Sequence, residues 1–405
     1  MNTQDYIKRE DLVCAHTYDP LPVVLCKGKG VWVWDMEGNK YLDMMTAYSA
    51  ITFGHCNERL TKALIEQAKK IAVISRAFYS DQLAAFLEKA CALSGLEKGI
   101  VMNSGAEAVE SALKVARRWG YEIKGIPEDQ AEIIVAKNNF HGRTTTIISF
   151  SSEPLYKKDF GPFTPGFKEI PFGDAKALRE AITPNTCAFL VEPIQGEAGI
   201  IVPPEGWLKE VRRICTEKNV LLILDEVQSG LGRTGKMFAF QHENIMPDGL
   251  ILGKALGGGI LPISLFLSRK EIMSLMGPGS HGSTFGGNPL ACAVGYEGLC
   301  LLEEEHLDTR SAELGAYLKE QFENLQSPLI KEVRGMGLWI GVEFHKHYVS
   351  AREICEKMLL NGVLSKDTHE TVVRFAPPLT ITQEELDFAI EAFRKTIRDM
   401  EKEKL

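Results

Sequence analysis

The sequence predicts an α/β protein, with a mostly parallel sheet in a large domain and a small α+β domain. Three observations predict it. Short apolar runs recur between residues 99 and 267, separated by segments of helical periodicity. Several of these runs end in a polar or charged residue followed by glycine-rich chain, as buried parallel strands do at their carboxyl ends. Beyond the helix that begins near Leu290 the pattern changes to long charged helices alternating with short strands.

Composition narrows the classes. The chain has 405 residues, too many for one ordinary core, so two domains are expected. Its 45% hydrophobic and 25% charged content is ordinary for a globular protein. A net charge of −8 argues against nucleic acid or an anionic membrane as partner. The first ten residues hold no apolar signal core, and no run of about 18 apolar residues exists to span a membrane. Nine cysteines without a Cys-x-x-Cys pair suggest reduced thiols and a cytoplasmic location. His345 and His347 have no neighbouring ligand and read as surface residues, so no metal is expected.

Taken in order, Val31 to Asp35, a turn at Glu37-Gly38-Asn39, and Lys40 to Asp43 read as a hairpin. A small polar segment holds Tyr48-Ser49-Ala50. Helical periodicity covers Glu58 to Ile71 and Asp81 to Leu93, with Ser80 as N-cap of the second. Ser75-Arg76-Ala77-Phe78-Tyr79 is a loop between them. The strand Gly99 to Met102 enters Asn103-Ser104-Gly105-Ala106-Glu107 and a helix to about Gly120. Free N–H groups and the helix dipole there favour an anion, although Ser-Gly before a helix is also plain capping. The segment lacks the endings of ATP and dinucleotide loops.

Ile133 to Ala136 is a strand feeding Asn138-Asn139-Phe140-His141-Gly142-Arg143. Phe140 beside an imidazole could cover a planar cofactor or simply fill the core. Arg143 suits a carboxylate through its planar fork. Cys187 to Val191 is a strand ending at Glu192-Pro193-Ile194-Gln195-Gly196-Glu197, where a solvated loop is the default reading.

Leu221 to Leu224 ends at Asp225-Glu226-Val227-Gln228, and Gly249 to Leu252 ends at Gly253-Lys254. Ligands of open α/β sheets bind outside the carboxyl ends of strands, so Asp225 and Lys254 could face one crevice. An aspartate for a pyridinium nitrogen and a lysine for a Schiff base are what pyridoxal phosphate needs. Taken alone, the two are equally well read as unrelated strand-end charges.

The motifs Tyr48-Ser49-Ala50, Ser75 to Phe78, Asn103 to Ala108, Asn139 to Arg143, Val191 to Glu197, Asp225 to Gln228, Gly253 to Leu256, His281 to Pro289 and Arg374 to Pro378 together resemble the class III, fold type I, pyridoxal-phosphate-dependent aminotransferases. The resemblance spans essentially the whole chain. It implies a large cofactor-binding domain over 46–295 and a small domain formed by 1–45 and 296–405.

It also implies roles. Lys254 and Asp225 would be catalytic, Lys254 carrying the cofactor and Asp225 pairing with its ring nitrogen. Gln228 would contact the phenolic oxygen and Phe140 would stack on the ring. Gly105 and Ala106 would hold the phosphate with their backbone. Thr284 would reach the phosphate of a second subunit, which implies a homodimer or a dimer of dimers. His141 stands where some relatives carry tryptophan. Tyr48, Arg143, Glu197 and Arg374 would contact substrate, and Phe78 or the adjacent Tyr79 would shape the substrate pocket. Within the family Tyr48, Phe140 to Arg143, Glu197 and Arg374 favour L-ornithine as amine donor and 2-oxoglutarate as acceptor. N-acetylornithine, 4-aminobutyrate and lysine are the alternative donors.

Overall fold

The computed structural model describes residues 1–404. A seven-stranded sheet runs in the order Lys98–Met102, Ser264–Ser268, Gly249–Leu252, Leu221–Asp225, Thr186–Val191, Glu132–Ala136 and Phe167–Ile170. Only Ser264–Ser268 runs against its neighbours. The four strands Thr186–Val191, Leu221–Asp225, Gly249–Leu252 and Ser264–Ser268 are buried along their full length. That explains why they read as continuous apolar runs rather than alternating ones.

Alternation is nevertheless present in the packing. Ile133, Val135, Leu221, Ile223, Ile251 and Phe266 face a core closed by the helix Gly105–Glu122, whose Val109, Ala112, Leu113, Ala116 and Trp119 fall at three- and four-residue spacing. Ile134, Ala136, Leu222, Leu224, Leu250, Leu252, Leu265 and Leu267 face the other core, shared with the helices Trp207–Glu217 and Pro289–Glu304.

Two smaller sheets complete the molecule. Ile330–Gly335, Ile340–Phe344, Val372–Phe375 and Lys366–Thr368 form an antiparallel sheet, in that order, backed by the helices Leu307–Glu323, Ala351–Leu360 and Gln383–Lys404. The N-terminal hairpin Trp32–Asp35 and Lys40–Asp43 forms as read from sequence, with a further strand, Leu25–Lys29, on its edge. That strand is mostly exposed and carries Lys-Gly-Lys, so its alternation was hidden. Val363–Leu364 pairs parallel with Lys40–Asp43, so the N-terminal hairpin and the C-terminal region share one sheet. The first long helix ends at Ala68, three residues short of the expected Ile71. Among the described residues no helix is long and apolar enough to cross a membrane.

The large sheet and the small antiparallel sheet meet at the loop after Thr186–Val191. The main chain of Gly199 accepts from Arg334 Nε at 2.9 Å and lies against Gly341. A Cβ at Gly341 would stand 2.9 Å from the Gly199 carbonyl oxygen. Gly341→Ala is therefore expected to destabilise the fold by about 1–3 kcal/mol through overpacking. Urea unfolding should show a lower midpoint at unchanged slope.

Candidate active site

Asp225 closes its strand in register with Ile251, and Lys254 follows the neighbouring strand after Gly253. Both therefore stand at the carboxyl edge of the sheet. They line one cavity of about 190 Å³, together with Gly105, Ala106, Phe140, His141, Glu192 and Gln228. A larger open groove of about 920 Å³ lies at the opposite end of the strands, where two of its cations, Arg212 and Arg269, are paired with Asp248. The chemistry-bearing groups gather at the smaller cavity.

Lys254 has a left-handed backbone, φ 43°, a strained conformation for a residue with a side chain. Burial pushes its amine below the ordinary lysine range, against the opposing pull of Glu197 and Asp225. Each nearby carboxylate is engaged elsewhere. Asp225 Oδ2 accepts from His141 Nδ1 at 2.6 Å, and Oδ1 accepts from the Val227 N–H at 3.1 Å. The side chains of His141 and Asp225 are 0% and 5% exposed. Burial works against the imidazolium, but Asp225 outweighs it, and the His141 pKa is raised.

Glu192 is buried, unlike the solvated loop residue its sequence context suggested. It accepts from the Phe140 N–H at 2.9 Å and the Gly196 N–H at 3.3 Å. Burial raises its carboxyl to about 7. Sequence reasoning gave Glu192 no role. The signal available was its position at the end of a strand next to the one carrying Asp225.

The helix Gly105–Glu122 starts at the cavity. Ser104 and Glu107 form a reciprocal cap, and Ser264 Oγ donates to the Ser104 carbonyl at 2.6 Å. A Cβ at Gly105 would come within 3.2 Å of Val227, so the small residue keeps the helix start close to the strand end.

Glu197 and Arg374, far apart in sequence, meet at the seam between the sheets. Arg374 Nη1 donates to Glu197 Oε1 at 2.9 Å and Nη2 to Oε2 at 3.4 Å. Gln228 Nε2 donates to Glu197 Oε1 at 3.3 Å, and Arg374 holds Glu197 in its charged form against burial. The Tyr48 ring lies 5.3 Å from the Arg374 guanidinium. Tyr48 sits in a turn where Thr46, Ala47, Tyr48 and Ser49 all have positive φ, which no glycine in the sequence announced. Asp43 Oδ1 accepts from the Met45 and Thr46 N–H groups, and Thr46 Oγ1 donates to the Ala376 carbonyl at 2.6 Å, holding this turn in place.

Arg143 is exposed and packs over the Tyr156 ring at 4.5 Å, a partner sequence reasoning missed. Phe140 meets the edge of the same ring. Phe78 is 70% exposed, Tyr79 and Thr284 are exposed as well, and none of the three lines the cavity of the single chain.

A buried amine, a carboxylate braced by an imidazole, an aromatic ring and a helix N-terminus around one cavity define an enzyme site for a planar anionic cofactor. Residues 13–397 match the class III aminotransferase family, and the chain belongs to that family. It is 56% identical over 395 residues to an ornithine aminotransferase of Brevibacillus brevis, covering 98% of both chains. It is 57% identical over 385 residues to that of Bacillus subtilis, covering 95% of both. Among solved structures, an ornithine aminotransferase from Toxoplasma gondii superposes with a TM-score of 0.98 at 44% identity, over 100% of this chain and 96% of that one. An acetylornithine aminotransferase from Elizabethkingia anophelis gives 0.91 at 49% identity, over 98% and 99%.

The family's cofactor is pyridoxal phosphate, and the residues present fit it. Lys254 offers an amine with no hydrogen bond or ion pair among the described residues. The Ser229 hydroxyl and His141 Nε2 are buried beside the cavity without partners. Asp225 can face a ring nitrogen, and the N–H groups of Gly105 and Ala106 can face a phosphate.

Two buried acids, Glu192 and Glu226, contribute to the pH response of the cofactor-free chain. Glu192 binds its proton more tightly folded, to about 7, than at its ordinary 4.5. Its contribution to stability is complete below 4.5 and is lost as pH rises to about 7. Glu226, raised by burial to about 8, and His141, raised by Asp225, act in the same direction. Glu192→Gln should flatten the fall in urea midpoint between pH 5 and 7. An unaltered pH slope would refute this account of Glu192.

Proposed function

We propose that this chain transfers the δ-amine of L-ornithine to 2-oxoglutarate, giving L-glutamate 5-semialdehyde and L-glutamate. The semialdehyde then cyclises to pyrroline-5-carboxylate. The observation that carries the reading is the Glu197–Arg374 pair with Tyr48 beside it, in a chain 56–57% identical to ornithine aminotransferases.

Pyridoxal phosphate, when bound, supplies an aldehyde that condenses with amines and a ring that takes up the electron pair left by a departing proton. Lys254 would hold the cofactor through its amine, and its Nζ would move the proton at the substrate carbon that bears the amine. Its depressed pKa favours the unprotonated amine that such a base needs. Asp225, braced by His141, would pair with the ring nitrogen. Gln228 would contact the phenolic oxygen, and Phe140 would cover the ring. The N–H groups of Gly105 and Ala106 would hold the phosphate.

The two substrates need opposite arrangements. Ornithine presents its δ-amine with its α-carboxylate held away, while glutamate presents its α-amine. Glu197 covers Arg374 while ornithine binds, and Tyr48 and Arg143 take ornithine's distal carboxylate. For glutamate and 2-oxoglutarate, Glu197 leaves Arg374 free for the α-carboxylate, and Arg143 takes the far one.

The substrate head group lies where the unit 46–295 meets the unit formed by 1–45 and 296–405. The catalytic unit is a homodimer, alone or paired into a dimer of dimers. In it, Thr284 of one chain reaches the phosphate of the other, and Phe78 or Tyr79 borders the ornithine pocket. Nine free thiols suit a reducing cytoplasm.

A panel of amine donors with 2-oxoglutarate, with the aldehyde trapped by o-aminobenzaldehyde, tests the assignment. Ornithine should be preferred, and preference for N-acetylornithine, 4-aminobutyrate or lysine would overturn it. Lys254→Ala should abolish the visible absorbance of the bound cofactor and lower turnover by about 10²–10⁴-fold or more. Glu197→Ala should shift the kcat/KM ratio of ornithine to glutamate toward glutamate by about tenfold or more, the scale of one charged hydrogen bond.

A further inference from the structure

The movement of Glu197 raises a question of charge. A carboxylate that leaves its arginine while only 23% exposed still loses a charge partner, and a second cation that receives it lowers that cost. The strand Lys366–Thr368 supplies one. It pairs antiparallel with Val372–Phe375, with Lys366 directly opposite Arg374 and Thr368 opposite Val372. Directly opposite residues share one face of a sheet, with Cβ atoms about 4.5–5.5 Å apart. Lys366 and Thr368 therefore stand on the face from which Arg374 reaches Glu197.

Thr368 Oγ1 donates to the Glu197 main-chain carbonyl at 2.9 Å, tying the backbone of Glu197 to this same strand. Gly341 pairs with Arg374 on its other side and takes the Gly199 main chain against it. The loop carrying Glu197 thus lies across this face. The Lys366 ammonium is among the charges that bear on the Tyr48 phenol. Its one ion pair among the described residues is with its chain neighbour Asp367, at 2.8 Å, with both side chains partly exposed. Such a pair is weak and readily exchanged.

We propose that Lys366 is the second counter-ion of the gate, a positioning residue that receives the Glu197 carboxylate whenever Arg374 binds a substrate α-carboxylate. With its backbone held by Thr368, Glu197 changes partner by side-chain rotation. The inference rests on the two-substrate reading given above.

The holoenzyme tests it through its separate half-reactions and through binding of glutarate, an unreactive dicarboxylate, followed by calorimetry. Lys366→Met should weaken glutarate binding and lower kcat/KM for 2-oxoglutarate by about tenfold, the scale of one lost charge partner. The ornithine half-reaction should stay within about twofold, and Lys366→Arg should restore the wild-type values. In a Glu197→Ala background the same Lys366→Met change should have no effect, because nothing remains to be received. An undiminished loss in that background would overturn the proposal, since Lys366 would then be touching the dicarboxylate itself. Equal losses in both half-reactions would overturn it as well. A wild-type chain that leaves ornithine unreacted would instead refute the proposed function, and an unaltered donor ratio in Glu197→Ala would refute the gate.

Discussion

Everything around the cavity keeps the Lys254 amine out of an ion pair. Three carboxylates surround it, and each is engaged by another donor. Asp225 takes His141, Glu192 takes the main chain of Phe140 and Gly196, and Glu197 takes Arg374 and Gln228. A direct pair with any one of them would hold the amine protonated and make the site a structural salt bridge. With the carboxylates engaged, burial outweighs their pull and lowers the lysine's proton affinity. The result is an amine suited both to bonding an aldehyde and to moving a proton.

The sheet imposes this arrangement. Parallel neighbours deliver Glu192, Asp225 and Lys254 to one edge from three adjacent strands. The cost is local. Lys254 is left-handed, and so are four consecutive residues around Tyr48. Conformations of this kind persist where surrounding structure over-determines them, here through Asp43, Thr46 and the Ala376 main chain. Part of the strain lies beside the proposed chemistry, and the buried Ile200 and Leu231 carry left-handed backbones as well.

Much of this was legible in the sequence, for physical reasons that also explain what was not. Strands buried on both faces write themselves as unbroken apolar runs, so Leu221 to Leu224 and Gly249 to Leu252 could be placed, and with them Asp225 and Lys254. An exposed edge strand such as Leu25–Lys29 writes nothing comparable. Glu192 read as a loop acid because its partners are backbone N–H groups, which leave no trace in side-chain identity. Glu197 and Arg374 meet across two sheets, a contact that spacing does not encode and only the family resemblance suggested. Thr284 and Phe78 lie outside the cavity of one chain, and the role proposed for Thr284 depends on a second copy. The His141–Asp225 bond stands where tryptophan in relatives had left the contact undetermined.

The two pairs differ in a way that matches the role proposed for each. The His141–Asp225 pair is sealed from solvent and short, at 2.6 Å. Breaking it would strand a charge in a dry interior, so it serves as a fixed brace. The Glu197–Arg374 pair has one good contact and one long one, and the Glu197 side chain is 23% exposed. Gln228 adds only a 3.3 Å contact. A carboxylate with some access to water and imperfect geometry costs less to move than a sealed one. On the proposed reading, cofactor chemistry common to both half-reactions sits on the rigid pair at the sheet edge, and the choice between substrates sits on the looser pair at the seam.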